Sequence, residues 1–153
     1  MKMGLCLFIN FLSFMMHTEF IVVEGDFANA GKASSEIKKT LKQLNIDNQK
    51  IKKIVVAVYE AEVNAIAHAY GGTIFVDLDE EKICVLIKDK GPGIPDIARA
   101  MEKGYSTASA KVREMGFGAG MGLPNIKNNV DELDIQSEVG VGTEIKMIVN
   151  FNS

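Results

Sequence analysis

The order of elements in this sequence predicts an α+β fold: one largely antiparallel sheet with helices on one face, a two-layer sandwich. Three observations carry that expectation. Residues 73–78 and 83–88 are β-type runs joined by a short charged turn, and so are residues 133–137 and 143–151 around Val139-Gly140-Val141-Gly142; each pair is set up as a hairpin. Helical periodicity is confined to the segments before and between these hairpins, which gives β-α-α-β-β-α-loop-α-β-β. Finally, 153 residues without internal repeats or low-complexity stretches fit one domain with a sizeable core.

Residues 1–16 are apolar, rich in Phe, Leu and Met, with Lys2 as their one basic residue. They have the look of a short signal peptide, yet no small-residue cleavage site precedes His17-Thr18-Glu19. The run is also too short to span a bilayer. The expectation is an N-terminal extension, with the functional start at Met15 or Met16 and a single domain over residues 17–153; a membrane-surface segment or an extra strand fits the same residues.

Residues 18–24 are β-branched and apolar and predict the first strand. Gly25-Asp26 ends it, and Asp26 or Asn29 is placed to cap a helix running to about Leu44, with Ile37, Leu41 and Leu44 at helical spacing. A central helix follows over residues 51–70. Ile51, Ile54, Val55, Val58, Ala61 and Ala65 form its buried face, and Glu60, Asn64 and His68 make a stripe about a quarter turn away. Glu62 is expected at the rim. Gly71-Gly72 stops the helix by permitting positive φ. After the first hairpin, Pro95 can open a short helix to about Lys103. Residues 104–120 form a long, weakly periodic loop of the kind that is usually functional. A last helix covers residues 122–130.

A net charge of −3, with no Lys/Arg cluster expected on one face, leaves no electrostatic footprint for nucleic acid. No direct nucleic-acid or membrane partner is expected. Cys6 and Cys84 have neither CxxC nor metal-ligand spacing, so Cys84 is expected as a buried free thiol in a reducing, cytoplasmic setting.

Three stretches carry candidate chemistry. Glu60 and Asn64 sit one helical turn apart on one face, an acid that can accept a proton and an amide oxygen that can ligate Mg²⁺. Asp89-Lys90-Gly91-Pro92-Gly93 follows a strand. Its carboxylate can accept from an exocyclic amine of adenine, and its glycines let backbone pass a flat base closely. The same residues also make an ordinary turn. In Gly116-Phe117-Gly118-Ala119-Gly120-Met121-Gly122, alternating glycines lead into a helix, where free N–H groups and the helix dipole form an anion cradle. This is neither the Walker nor the Rossmann pattern, and a hinge without ligand fits too. His68 is expected as a packed histidine.

Together, Glu60-Ala61-Glu62-Val63-Asn64-Ala65, Asp89-Lys90-Gly91-Pro92-Gly93-Ile94, Gly118-Ala119-Gly120-Met121-Gly122-Leu123 and Gly140-Val141-Gly142-Thr143 resemble, in that order, the motifs of the GHKL ATPase superfamily with its Bergerat-type ATP-binding fold. Within it the chain looks like the small bacterial anti-sigma factors and switch kinases, which use Mg-ATP to phosphorylate a serine or threonine of a small STAS-type antagonist protein. The resemblance implies Glu60 as catalytic base and Asn64 as Mg²⁺ ligand. It implies Asp89, Gly91, Gly93 and Ile94 around adenine, Gly118, Gly120, Gly122 and Leu123 around the phosphates, and Thr143 behind the base. It further implies a mobile lid over residues 104–117, a homodimer and a sigma factor as partner. Lys32 stands where such anti-sigma factors often carry a partner-contacting arginine. Two other readings share the motifs: an ATP-gated binding module with negligible phosphotransfer, and a detached histidine-kinase-type ATPase domain. With only His17 and His68 in the chain, and no hairpin to present a phosphoacceptor, the last is the weaker.

Overall fold

The computed structural model describes residues 14–116 and 120–152. They form a five-stranded sheet in which every neighbouring pair is antiparallel, ordered β1-β2-β3-β5-β4. The strands are β1 (Phe14–Val22), β2 (Gly72–Asp79), β3 (Lys82–Asp89), β4 (Glu132–Glu138) and β5 (Gly142–Asn150). The helices are α1 (Lys32–Gln43), α2 (Asn48–His68), α3 (Ile97–Ala100), α4 (Ala110–Glu114) and α5 (Gly122–Asn129), with a 3₁₀ turn at Phe27–Asn29. The α+β sandwich expected from sequence is the observed fold.

One core joins the two layers. Ile74, Val76, Leu78, Ile83, Val85, Ile87, Ile145, Met147 and Val149 alternate onto one sheet face. They pack against Ile37 and Leu41 of α1, Ile51, Ile54, Val58, Ala61 and Ala65 of α2, and Leu123 and Ile126 of α5. All the residues expected on the buried face of α2 lie inside except Val55, which is half-buried. Ala57, Val63 and Ile66 are buried as well, because α2 is gripped from three sides, by the sheet, α1 and α5.

Several boundaries move for identifiable reasons. β1 begins at Phe14 rather than residue 18, and it pairs with β2 along its whole length past a register shift between Phe14 and Met16. The helix after β1 is capped by neither Asp26 nor Asn29. The Asp26 carboxylate instead takes both hydrogen bonds offered by the Asn29 amide (2.8 and 3.0 Å), and the chain makes a 3₁₀ turn. α1 then starts after Gly31, at φ +92°. α2 starts one turn before residue 51, because Asp47 accepts from the N–H groups of Gln49 and Lys50 (3.0 and 3.2 Å). It ends at His68, before the glycine pair: Ala69 is already extended, and Gly71, at φ +102°, turns the chain into β2. α3 is one turn long and capped by Asp96, whose carboxylate accepts from the Arg99 N–H at 3.0 Å; Pro95 stays outside. The loop at residues 104–120 carries a helix of its own, α4, capped by Ser109.

On the sheet face away from the core, Cys84 and Ile148 are buried together. Cys84 is disulfide-bonded, which overturns the expected free thiol. Among the described residues, no helix is long and apolar enough to cross a membrane.

Candidate functional site

The end of the sheet where β3 finishes and β5 begins gathers most of the residues singled out by sequence. Asp89 is the last residue of β3. Its Oδ1 accepts from the Thr143 N–H at 3.0 Å, on the neighbouring strand. Burial pushes the Asp89 carboxyl above the usual aspartate range, and the Thr143 N–H partly offsets this by favouring the charged form. The second carboxylate oxygen accepts no hydrogen bond among the described residues and is not sealed off, so an acceptor remains for an incoming donor.

Behind Asp89 the Thr143 side chain, itself buried, shares a 2.8 Å hydrogen bond with Ser137. The Ser137 hydroxyl donates to the Gly142 carbonyl (3.1 Å) and accepts from the Ile94 N–H (2.7 Å). The loop at residues 89–94 is thereby tied to the β4–β5 hairpin. Further backbone bonds complete the weld: Gly91 N–H to Val141 O (3.3 Å), Gly140 N–H to Pro92 O (2.9 Å), Tyr70 N–H to Lys90 O (2.6 Å) and Lys90 N–H to Gly71 O (3.0 Å). At Gly93, where φ is +74°, a Cβ would run into the Glu138 carbonyl, so only glycine fits. At Gly91 a Cβ would press on Ala69, at 3.1 Å from its Cα.

The second glycine cluster leads into α5, packed against α2. Gly122 lies against the Asn64 amide: a Cβ there would sit 3.1 Å from Oδ1 and 3.2 Å from Nδ2. Glu60, one turn back on α2, accepts from the Asn125 side chain, Nδ2 to Oε1 3.0 Å. Glu60 and Asn64 are both half-buried. Gly120, at φ +76°, touches Gly104 so closely that a Cβ would strike the Gly104 carbonyl, and the Gly104 N–H donates to Gly120 O at 3.0 Å. The segment from 104 to 120 thus leaves and returns at one point. Gly118 lies outside the described residues. Leu123 is buried in the core, where its side chain anchors α5.

A nucleotide suits these residues. One end offers the half-buried Asp89 carboxylate with an acceptor to spare. The other end offers an amide oxygen beside the first turn of a helix, and hard oxygen ligands of this kind suit Mg²⁺. The family model described as a histidine kinase-like ATPase domain matches residues 23–149. The chain belongs to that family. Among its relatives, the serine/threonine-protein kinase RsbT of Bacillus subtilis is 33% identical over 132 residues, covering 84% of this chain and 91% of its own. The anti-sigma F factor of Clostridium acetobutylicum is 35% identical over 132 residues, covering 82% and 84%. That of Caldanaerobacter subterraneus is 34% identical over 110 residues, covering 69% and 73%. Among solved structures, the RsbU and RsbW domains of a Mycobacterium tuberculosis protein superpose with a TM-score of 0.59 at 16% identity. The match covers 88% of this chain and 32% of that one, and it shows the shared fold.

Within this histidine kinase-like ATPase domain, sequence reasoning missed three polar residues. Ser137 passed as a strand end, although a serine beside a Gly-Thr turn can bridge it. Asn125 gave no signal, because its partner is far away in sequence. Glu62, expected at the rim, is 4% exposed, and its carboxylate accepts from the Ala33 and Ser34 N–H groups (3.2 and 3.4 Å). It caps α1 from a neighbouring helix. Burial pushes its carboxyl up, and the N–H groups of the first turn of α1 pull it back. His68 is pushed below the usual histidine range by burial, which favours a neutral ring, in keeping with a packed histidine.

Proposed function

We propose that this chain is an ATP-dependent serine/threonine protein kinase of a bacterial partner-switching system, acting in the cytoplasm on a small STAS-type antagonist protein and holding a sigma factor as its second partner. The observation that carries the reading is the pairing of Glu60 and Asn64 on α2 with α5: the acid and the amide meet the helix that the phosphate-side glycines lead into. Its relatives, a serine/threonine-protein kinase and anti-sigma factors, support the same class.

Mg-ATP, when bound, supplies the γ-phosphoryl group. Asp89 recognises the adenine amine, with Thr143 and Ser137 holding the carboxylate in place and Gly91, Gly93 and Ile94 beside the base. Asn64 would hold Mg²⁺, which would neutralise charge on the phosphates, and Gly118, Gly120 and Gly122 would surround the phosphates, with residues 104–117 as the lid. Glu60 takes the proton from the attacking hydroxyl of the partner; such a base contributes about 10²–10⁴-fold. A homodimer fits the same family reading.

The test uses γ-labelled Mg-ATP, the purified full chain and a lysate of its own organism, with Glu60→Ala alongside. The expected result is one small acidic band, with the acid stability and alkali lability of phosphoserine or phosphothreonine, labelled by wild type alone. ATP binding without any transfer would replace the kinase with an ATP-gated binding module. Asn64→Ala should remove the Mg²⁺ dependence of ATP binding and leave the circular dichroism unchanged; unaltered Mg²⁺ dependence in calorimetry would remove the metal role.

A further inference from the structure

We propose that Asn125 is a positioning residue for the base: its amide fixes the Glu60 carboxylate and makes the base and the phosphate-side helix one unit. This rests on the reading of Glu60 as the base.

The geometry is a matched pair. Gly122 and Asn125 lie three residues apart on α5, and Asn64 and Glu60 lie four apart on α2. Gly122 meets Asn64, and Asn125 meets Glu60, 65 residues away in sequence. The two helices therefore run antiparallel here, with spacings of roughly 4.5 and 6 Å along their axes. One helix, α5, touches both the proposed metal ligand and the proposed base.

Asn125 is well held. Its own N–H donates to Met121 O (2.9 Å), and its carbonyl accepts from the Asn129 amide (2.8 Å). Its neighbours Pro124 and Ile126 are buried, so the backbone beneath the side chain has little room to move. The contact also has a defined direction. An ionised carboxylate only accepts, so the amide must present Nδ2. That fixes one carboxylate oxygen, while Oε2 takes no hydrogen bond among the described residues and is open to a proton. A lysine or arginine in this place would anchor Glu60 equally well but would hold its charge as an ion pair and weaken it as a base. A neutral amide donates one directed hydrogen bond and adds no charge.

A plain tie between two helices would show up in stability and leave the chemistry alone. The experiment therefore compares phosphotransfer kcat, KM for ATP, ATP affinity and Tm for Asn125→Leu, Asn125→Asp and Asn125→His. Leucine keeps the size and loses the donor, aspartate replaces the donor with a like charge, and histidine restores an N–H at similar reach. Expected are a fall of about 10- to 100-fold in kcat for leucine, a larger fall for aspartate, recovery to within several-fold for histidine, and ATP affinity within about 2-fold throughout. Wild-type kcat in Asn125→Leu, or equal losses in all three variants that follow Tm, would overturn the positioning role. Glu60→Gln, run in parallel, separates the two ideas. If it is dead while Asn125→Leu is fully active, positioning fails and the base stands. If Glu60→Gln is fully active, or wild type transfers no phosphate, the base reading fails and the role of Asn125 falls with it.

Discussion

The two glycine-rich loops resemble each other as strings of letters and differ as objects. The first, at residues 89–94, is bonded on both sides, to the β4–β5 hairpin through Ser137, Gly140 and Val141 and to the segment between α2 and β2 through Tyr70 and Gly71. The second reaches the rest of the fold through α5 on one side and the Gly104–Gly120 contact on the other. A segment with few buried apolar contacts opens locally at little cost, whereas a loop bonded into the sheet opens only with the sheet. The lesson is a division of labour: the loop at residues 89–94 is welded to the sheet, while the segment entered at Gly104 is held at its ends.

Substitutions can break that contrast. Gly93→Ala should have the largest effect, because the new Cβ meets the Glu138 carbonyl at a positive φ and the hairpin cannot yield alone. A loss of about 3 kcal/mol corresponds to a Tm lower by roughly 6–12 °C; an unchanged melting curve would mean the first loop is no more rigid than the second. Asp89→Asn should come next, and it separates recognition from stability. The amide oxygen can still accept from Thr143, but the other atom becomes a donor. ATP affinity should fall about 10- to 100-fold, with Tm holding or rising, because a half-buried carboxylate has been neutralised. Gly120→Ala should do the reverse of Gly93→Ala. The Gly104 contact opens, ATP affinity drops about 10-fold, and Tm stays within about 2 °C; a large loss of Tm would show that the contact supports the whole fold.

The smallest effect lies outside both loops. Glu62 and Asp89 have folded-state pKa values raised by burial, so the folded chain binds these protons more tightly than the unfolded chain does. Their stabilising contribution is full below the usual carboxylate range and is lost as pH rises through the raised values. Glu62→Gln should therefore flatten the decline of Tm as pH rises above the usual carboxylate range, leaving the share that Asp89 contributes. A profile identical to wild type would remove Glu62 from that decline.

What was legible in the sequence is what local pattern encodes. Apolar and β-branched runs on either side of a charged turn and of a Val-Gly-Val-Gly turn placed the hairpins, and a 3.6-residue period placed α2 and its buried face. The start of β1 was hidden because Met16 belongs to an apolar run that resembles a leader. Glu62 was misplaced because a charge near an apolar stripe ordinarily goes to the rim. Only the unsatisfied N–H groups of α1, about thirty residues earlier, give it a reason to be inside. Asn125 and Ser137 depend on contacts between elements distant in sequence, and periodicity carries no information about those.

The meeting of Gly104 and Gly120 has a consequence for how such a chain can vary. A loop whose ends are already joined is insensitive to its contour: doubling its length costs only about 0.6 kcal/mol of closure entropy. The mostly exposed residues 109–116 can be lengthened or shortened without repacking the sheet or moving α5. This is where a new docking sequence for a different protein partner could be installed with the nucleotide-reading end left as it is.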